Sequence, residues 1–394
     1  MNKANQSRWK LLGGILIVII VIHAIAISCI VSAQRSKRSE TLIEMTPSES
    51  STPAATAPKV QEQKKDKSGG FWSWLFGSGK KEQKTLEVIP VESVATTPKY
   101  RYKRTPSNPL FGKPFDFKYA KHGDFSEKEI PGSKGATSGI MVDLSTRKVL
   151  WEKNSSKQLP IASMVKMMTL FLAFEELEAN PTLSLNSPVR ISPEVLKVQR
   201  TGIIWLDPRE TLPLSDLMKA ATIKSANDAA VQIALFFSQG NIEEFITKMN
   251  AKALEMGMIG SNFVSPCGLP DKVKGNSLST AQDMVILGER LLEEYPQYIK
   301  WSTTQLDYIR TGEKRTMLNA TNKLVNPRYP GVDGLKTGYT DDAGYCLTFS
   351  VLRNGRRIVG CVTGFPSARR GRDPFCRKLI DWGYKRATEL DKKP

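Results

Sequence analysis

The apolar residues of this 394-residue chain fall into three patterns. Leu11 to Val31 is an almost unbroken apolar run, long enough to cross a bilayer core, which takes about 20 helical residues. Ser48 to Lys67 carries almost no large apolar side chain and cannot bury enough surface to fold. From about Gly135 onward, apolar positions recur with the periods of regular structure. Gly139 to Leu144 reads as a strand, Ser145-Thr146-Arg147 as a turn and Lys148 to Glu152 as its hairpin partner. Met164 to Leu177 is apolar on nearly every side and predicts a central buried helix. Leu214 to Phe237 predicts two helices broken near Lys224-Ser225. Ile242 to Met256 predicts an amphipathic helix, and Thr280 to Leu292 a helix with Ser279 or Thr280 as its N-cap. Val332 to Thr340, Tyr345 to Arg353 and Arg356 to Thr363 predict a three-stranded meander, with Asn354-Gly355 as a tight turn. Phe375 to Arg386 predicts a closing helix. Strands at both ends with helices between them predict one antiparallel sheet, assembled from both termini and covered by helices on both faces, an α+β fold.

The length alone would allow two or three domains, but the uneven composition reduces this to one. Residues 1–33 read as a membrane segment, residues 34–134 as a low-complexity basic spacer and residues 135–394 as a single folded domain. Lys3, Arg8 and Lys10 precede the apolar run and favour a cytoplasmic N-terminus; Arg35, Lys37 and Arg38 follow it and weaken that signal. Val31-Ser32-Ala33 resembles a cleavage site, yet the run is long for a cleaved signal peptide and reads as an uncleaved signal anchor. Either reading exports the chain beyond Arg35. Within the spacer, Phe71-Trp72-Ser73-Trp74-Leu75-Phe76 forms a dense aromatic patch, suited to a membrane interface or to docking on the folded domain. Residues 97–131 read as a linker along the domain surface.

Charge and cysteine content sharpen the picture. Of the net charge of +18, residues 1–122 supply +11, from 20 Lys and Arg against 9 Asp and Glu. A basic tail beside a membrane anchor fits contact with anionic lipid or wall polymer, with a non-specific solvated charge excess as the alternative. Nucleic acid is a poor partner for an exported chain. Cys267, Cys346, Cys361 and Cys376 lack metal-ligand spacing. Counting outward from Asn354-Gly355 sets Cys361 opposite Thr348 and Cys346 opposite Thr363. The two thiols are then diagonal neighbours, too far apart to bridge, so mostly free, buried thiols are expected.

Three short motifs carry the chemistry, in this order: Ser163-Met164-Val165-Lys166, Ser225-Ala226-Asn227 and Lys336-Thr337-Gly338. Ser163 and Lys166 are one helical turn apart and share a face, at a helix start that favours developing negative charge. A lysine inside an apolar helix loses proton affinity, and a cationic Lys336 nearby would push the same way. The neutral amine can then take the Ser163 proton. The chain holds two histidines, His23 in the apolar run and His122 in an irregular stretch, so a serine mechanism here must use lysine as its base. Ser225 supplies a hydroxyl for proton relay and Asn227 an amide for positioning. Lys336 and Gly338 fall on one face of a strand. Gly338 would leave room for a substrate backbone, and Lys336 and Thr337 would bind an anionic terminus.

These motifs, with Pro160 to Thr169, Ser225 to Ala230, Phe263 to Pro270 and Gly331 to Thr340 around them, resemble the low-molecular-mass penicillin-binding proteins, the serine-type D-alanyl-D-alanine carboxypeptidases. The resemblance covers roughly residues 135–386 and implies the transpeptidase fold shared with β-lactamases. It implies a carboxypeptidase that removes the terminal D-Ala of peptidoglycan stem peptides through an ester on Ser163, with Lys166 as base. Ser225, Asn227 and Lys336 would relay protons and position groups. The backbone N–H groups of Ser163 and Tyr339 would form the oxyanion hole, and Thr337 and Arg372 would hold the terminal carboxylate. β-Lactams would be covalent inhibitors, and neither cofactor nor metal is called for. The domain would stand outside the cytoplasmic membrane of a bacterial envelope. Many members carry a β-rich second domain and a C-terminal anchor, whose functions are not carried over to this N-terminally anchored chain. Rival readings are an endopeptidase of the same family, a β-lactamase and a non-catalytic wall-binding scaffold. The β-lactamase reading lacks a Glu-x-x-Leu-Asn segment between Ser225 and Lys336, and the intact motif set argues against a scaffold.

Overall fold

The computed structural model describes residues 106–325 and 329–392. The apolar run 11–31, the spacer up to residue 105 and the aromatic patch 71–76 lie outside the described residues.

The meander is formed by Val332–Thr340, Gly344–Arg353 and Arg356–Phe365, paired antiparallel. Ser138–Asp143 adds to Arg356–Phe365, and Val149–Lys153 adds to Ser138–Asp143. A short strand, Lys121–His122, completes the six-stranded sheet by pairing in parallel with Val149–Lys153. Strands from both ends of the domain therefore meet inside one sheet, and Val332–Thr340 lies at its far edge. Strand alternation sends Ile140, Val142, Val359 and Cys361 into one core and Met141, Ile358 and Val362 into another. The first core holds the helices Lys166–Ala179 and Ala281–Glu294, through residues such as Met168, Phe171, Met284 and Leu287. The second is closed by the helix Asp373–Asp391, through Phe375, Leu379 and Ile380. The sheet is thus covered by helices on both faces. Thr280 caps the Ala281–Glu294 helix by accepting from the Asp283 N–H at 3.0 Å.

The packed body starts before Gly135, so the expected boundary moves. Phe111 and Ile130 are buried, and Ser107 Oγ donates to Glu293 Oε2 at 2.7 Å. The Phe115 ring lies 4.5 Å from the Arg147 guanidinium, whose buried partner is Glu289. Residues 106–134 lack a period because their apolar side chains seat one by one on a finished surface. The closing helix also extends beyond the expected Phe375 to Arg386.

All four cysteines among the described residues are buried free thiols. Cys361 pairs opposite Thr348 as counted, but a bulge between Tyr345 and Leu347 shifts Cys346 out of the expected register with Thr363. No helix among the described residues is long and apolar enough to cross a membrane.

Candidate active site

The Ser163 turn is built under constraint. The strand pair formed by Leu159–Pro160 and Leu278–Ser279 delivers the chain into a 3-10 turn, Ala162–Val165, which runs directly into the helix starting at Lys166. Ala162 has φ 48°, a left-handed conformation that a non-glycine residue holds only when its surroundings impose it. Two glycines close on this turn. A Cβ on Gly268 would lie 2.1 Å from the Ala162 carbonyl oxygen, and one on Gly338 would lie 2.6 Å from that of Ile161. Gly338 is therefore required by the turn that carries Ser163. The space left by its missing side chain is taken by this turn, and Gly338 also contributes to the cleft wall.

Lys166 is fully buried. Its Nζ donates to Ser163 Oγ at 2.8 Å, Asn227 Oδ1 at 2.7 Å and the Cys267 carbonyl at 2.6 Å. Burial lowers its pKa to about 8, against the opposing pull of Cys267 and Asp228. Lys336 is equally buried and donates to Ser225 Oγ at 2.8 Å and to the Thr337 carbonyl at 3.0 Å. Burial holds its pKa well below the ordinary lysine value, and the charges of Lys166 and Arg372 lower it further. The two lysines disfavour each other's charged form, and burial is the main cause of the lowering at each.

Ser225 stands at a deliberate helix break. The π-helical turn Ala220–Lys224 ends at Ser225 in the left-handed conformation (φ 63°, ψ 33°), and the helix Asn227–Phe237 starts two residues on. The Ser225 hydroxyl is thereby released toward Lys336. Asn227 joins two elements. Its Oδ1 accepts from Lys166, its Nδ2 donates to the Thr201 carbonyl at 2.7 Å, and its backbone N–H donates to the Gly202 carbonyl at 2.7 Å. Thr337 Oγ1 is 2.6 Å from Thr321 Oγ1. The half-exposed Tyr339 stacks on Tyr345 with centroids 4.2 Å apart. Arg372 is buried, with Nε donating to Asp373 Oδ1 at 2.8 Å and Nη1 to the Cys346 carbonyl at 3.0 Å.

One cleft of about 290 Å³ is lined by Ser163, Ser225, Asn227, Thr337, Gly338, Tyr339 and Arg372. Lys166 and Lys336 stand directly behind the two serines. All nine residues singled out from the sequence are therefore brought to one place. Val332–Thr340 is an edge strand, so one row of its backbone groups faces away from the sheet.

Sequence reasoning missed the supports. Cys267 contributes its carbonyl, not its thiol. The neighbouring Pro266 carbonyl accepts from Thr169 Oγ1 at 2.6 Å and fixes that segment to the Lys166 helix. The Asp228 carboxylate accepts from the backbone N–H groups of Ile204 and Leu206, each at 3.1 Å, and holds the loop beyond Gly202. Gly268 and Asp228 sit inside the blocks that resemble the family, but the backbone groups they serve leave no side-chain signal. Among the described residues no group of three His, Cys, Asp or Glu could hold a metal ion.

A serine hydroxyl touching a buried lysine of lowered pKa, beside a second serine–lysine contact, is the arrangement of a serine–lysine acyl-transfer site. Residues 126–367 match the D-alanyl-D-alanine carboxypeptidase family, and the chain belongs to it. It is 37% identical over 250 residues to the D-alanyl-D-alanine carboxypeptidase DacF of Bacillus subtilis, an alignment covering 63% of this chain and 62% of that protein. The chain thus spans less than two thirds of that relative's length. Penicillin-binding protein D2 of Listeria monocytogenes, solved in its ampicillin-bound form, superposes with a TM-score of 0.56 at 29% identity, covering 64% of this chain and 98% of that one. A D-alanyl-D-alanine carboxypeptidase of Mycobacterium tuberculosis gives 0.57 at 26% identity, covering 64% and 91%.

Proposed function

We propose that the protein is a serine DD-carboxypeptidase that removes the terminal D-Ala from peptidoglycan stem peptides and is acylated by β-lactams. The observation that carries this reading is the 2.8 Å contact between Lys166 Nζ and Ser163 Oγ inside the cleft. Neutral Lys166 takes the Ser163 proton as Oγ attacks the carbonyl of the penultimate D-Ala. Backbone N–H groups of Ser163 and Tyr339 stabilise the oxyanion. The C–N bond breaks, and the leaving amine of the terminal D-Ala receives its proton through the Ser225 hydroxyl, which Lys336 orients. Water then cleaves the ester and restores Ser163. Thr337 and Arg372 hold the substrate carboxylate, and Asn227 orients the peptide and Lys166. With a β-lactam the leaving amine stays tethered, so the ester persists.

The apolar run 11–31 would anchor the protein in the cytoplasmic membrane of a bacterial envelope, with residues 34–105 as a basic spacer and the catalytic domain outside. The length of the run and the exported reading of the chain support this. A chain beginning at Pro106 is expected to retain acylation.

Fluorescent penicillin labelling with mapping of the modified residue, and product analysis on a pentapeptide, test the reading. The expected results are a label on Ser163, lost in Ser163→Ala with the melting temperature kept, and release of free D-Ala. A label that survives in Ser163→Ala, or maps elsewhere, removes the assignment. Cleavage confined to cross-linked peptides would make the protein an endopeptidase.

A further inference from the structure

Trp205 follows three residues after Gly202, which lines the cleft, and is not used by the chemistry above. The residue is 65% exposed, although tryptophan is highly buried on average. Its backbone is in the left-handed region, at φ 56°, a conformation that costs free energy in a non-glycine residue and persists only where the surroundings impose it. The constraint is visible on both sides. Ile204 and Leu206 donate their N–H groups to Asp228. On the carbonyl side Arg310 donates from Nη1 to the Ile204 carbonyl at 3.0 Å and from Nη2 to that of Trp205 at 3.4 Å. Arg310 is itself fixed by a two-point contact with Glu210, at 2.8 and 2.6 Å. The same loop begins at Thr201 and Gly202, which Asn227 holds. An exposed indole is therefore displayed on a loop tied to the catalytic amide. Arg200 lies 5.8 Å from its ring centroid, steadying the ring and adding donors for carbonyl oxygens.

We propose that Trp205, with Arg200, is a saccharide platform at the rim of the cleft that selects glycan-linked stems over free peptide. The proposal rests on the DD-carboxypeptidase reading and names its preferred substrate. Chain lengths fit. Gly202 lines the cleft, and Trp205, three residues on, lies within roughly 11 Å of it along the chain. With the last two residues of a pentapeptide stem in the cleft, the remaining three span about 10 Å when extended. The reach of the stem and the reach of the loop from the cleft are therefore matched. The apolar C–H face of a pyranose complements an exposed aromatic face, and the N-acetyl carbonyls of aminosugars complement the Arg200 donors.

The full chain in detergent micelles is assayed for D-Ala release from a disaccharide pentapeptide and from the free pentapeptide. Trp205→Ala is expected to lower the ratio of the two kcat/KM values roughly three- to ten-fold, the size of an aromatic contact, with the change in KM. Trp205→Phe should keep most of the ratio, and Trp205→Gln should behave as the alanine variant does. An unchanged ratio, or an equal fall on both substrates in Trp205→Ala and Trp205→Gln, overturns the proposal. Failure of the DD-carboxypeptidase reading is a separate result, in which the unmodified protein releases D-Ala from neither substrate. In that case calorimetric binding of the disaccharide pentapeptide to the Ser163→Ala protein decides, and equal affinity with and without Trp205→Ala overturns the platform.

Discussion

Lys166 and Arg147 are both buried cations, and their surroundings make one a base and the other a brace. Lys166 meets three neutral acceptors, the Ser163 hydroxyl, the Asn227 amide and the Cys267 carbonyl. Arg147 meets the buried Glu289 carboxylate and the face of Phe115. Neutral partners satisfy the geometry of an ammonium without offsetting its lost hydration, so burial brings the Lys166 pKa down to about 8. Asp228 is close enough to oppose this, but its carboxylate is taken up by backbone N–H groups. A guanidinium cannot release its proton in a protein, and a carboxylate partner suits it to structure. Burial raises the Glu289 carboxyl above its ordinary value, and Arg147 pulls it back. Burial alone does not create a catalytic base; burial among neutral acceptors does.

Exchanging the character of the two sites breaks the comparison most severely at Lys166. Lys166→Arg keeps the charge but removes the capacity to become neutral. Acylation by penicillin, followed by stopped-flow or gel labelling, should fall about 10²–10⁴-fold, the usual worth of a general base, with folding retained. Near-normal acylation would place the base elsewhere. At the other site, Glu289→Gln leaves Arg147 buried without its carboxylate. Denaturant titration should show a loss of about 3–5 kcal/mol, while the acylation rate of the folded fraction stays near that of the unmodified protein. A large drop in acylation without loss of stability would mean that the brace shapes the site.

The two sites also differed in how far the sequence disclosed them. Lys166 is legible because a lysine inside Met164 to Leu177 conflicts with the apolar pattern, and Ser163 one turn before it gives the conflict a purpose. The sheet, its meander and the break at Ser225 follow from strand alternation and turn chemistry in the same way. Arg147 and Glu289 are far apart in the chain, one in a turn and the other on a helix, and each alone reads as an ordinary surface charge. The aperiodic Phe115 that covers the brace, and Phe111 that lies against Arg290, read as linker for the same reason. The packing duty of Gly338 under the Ser163 turn was not legible because a missing side chain does not disclose which neighbour needs the space. The Cys267 carbonyl was invisible because every residue has a carbonyl. Side-chain patterns carry the core and the motifs; long-range pairs and backbone acceptors emerge only in three dimensions.

The claim that a buried lysine of lowered pKa activates Ser163 is tested most directly by the pH dependence of acylation. With a pKa of about 8, roughly a tenth of Lys166 is neutral at pH 7 and nine tenths at pH 9. The second-order rate constant for acylation by penicillin should therefore rise about ten-fold between these values, with its midpoint near pH 8. Lys166→Arg should show no such inflection. A rate that is flat or falling over this range in the unmodified protein, or an inflection that survives in Lys166→Arg, would contradict the account.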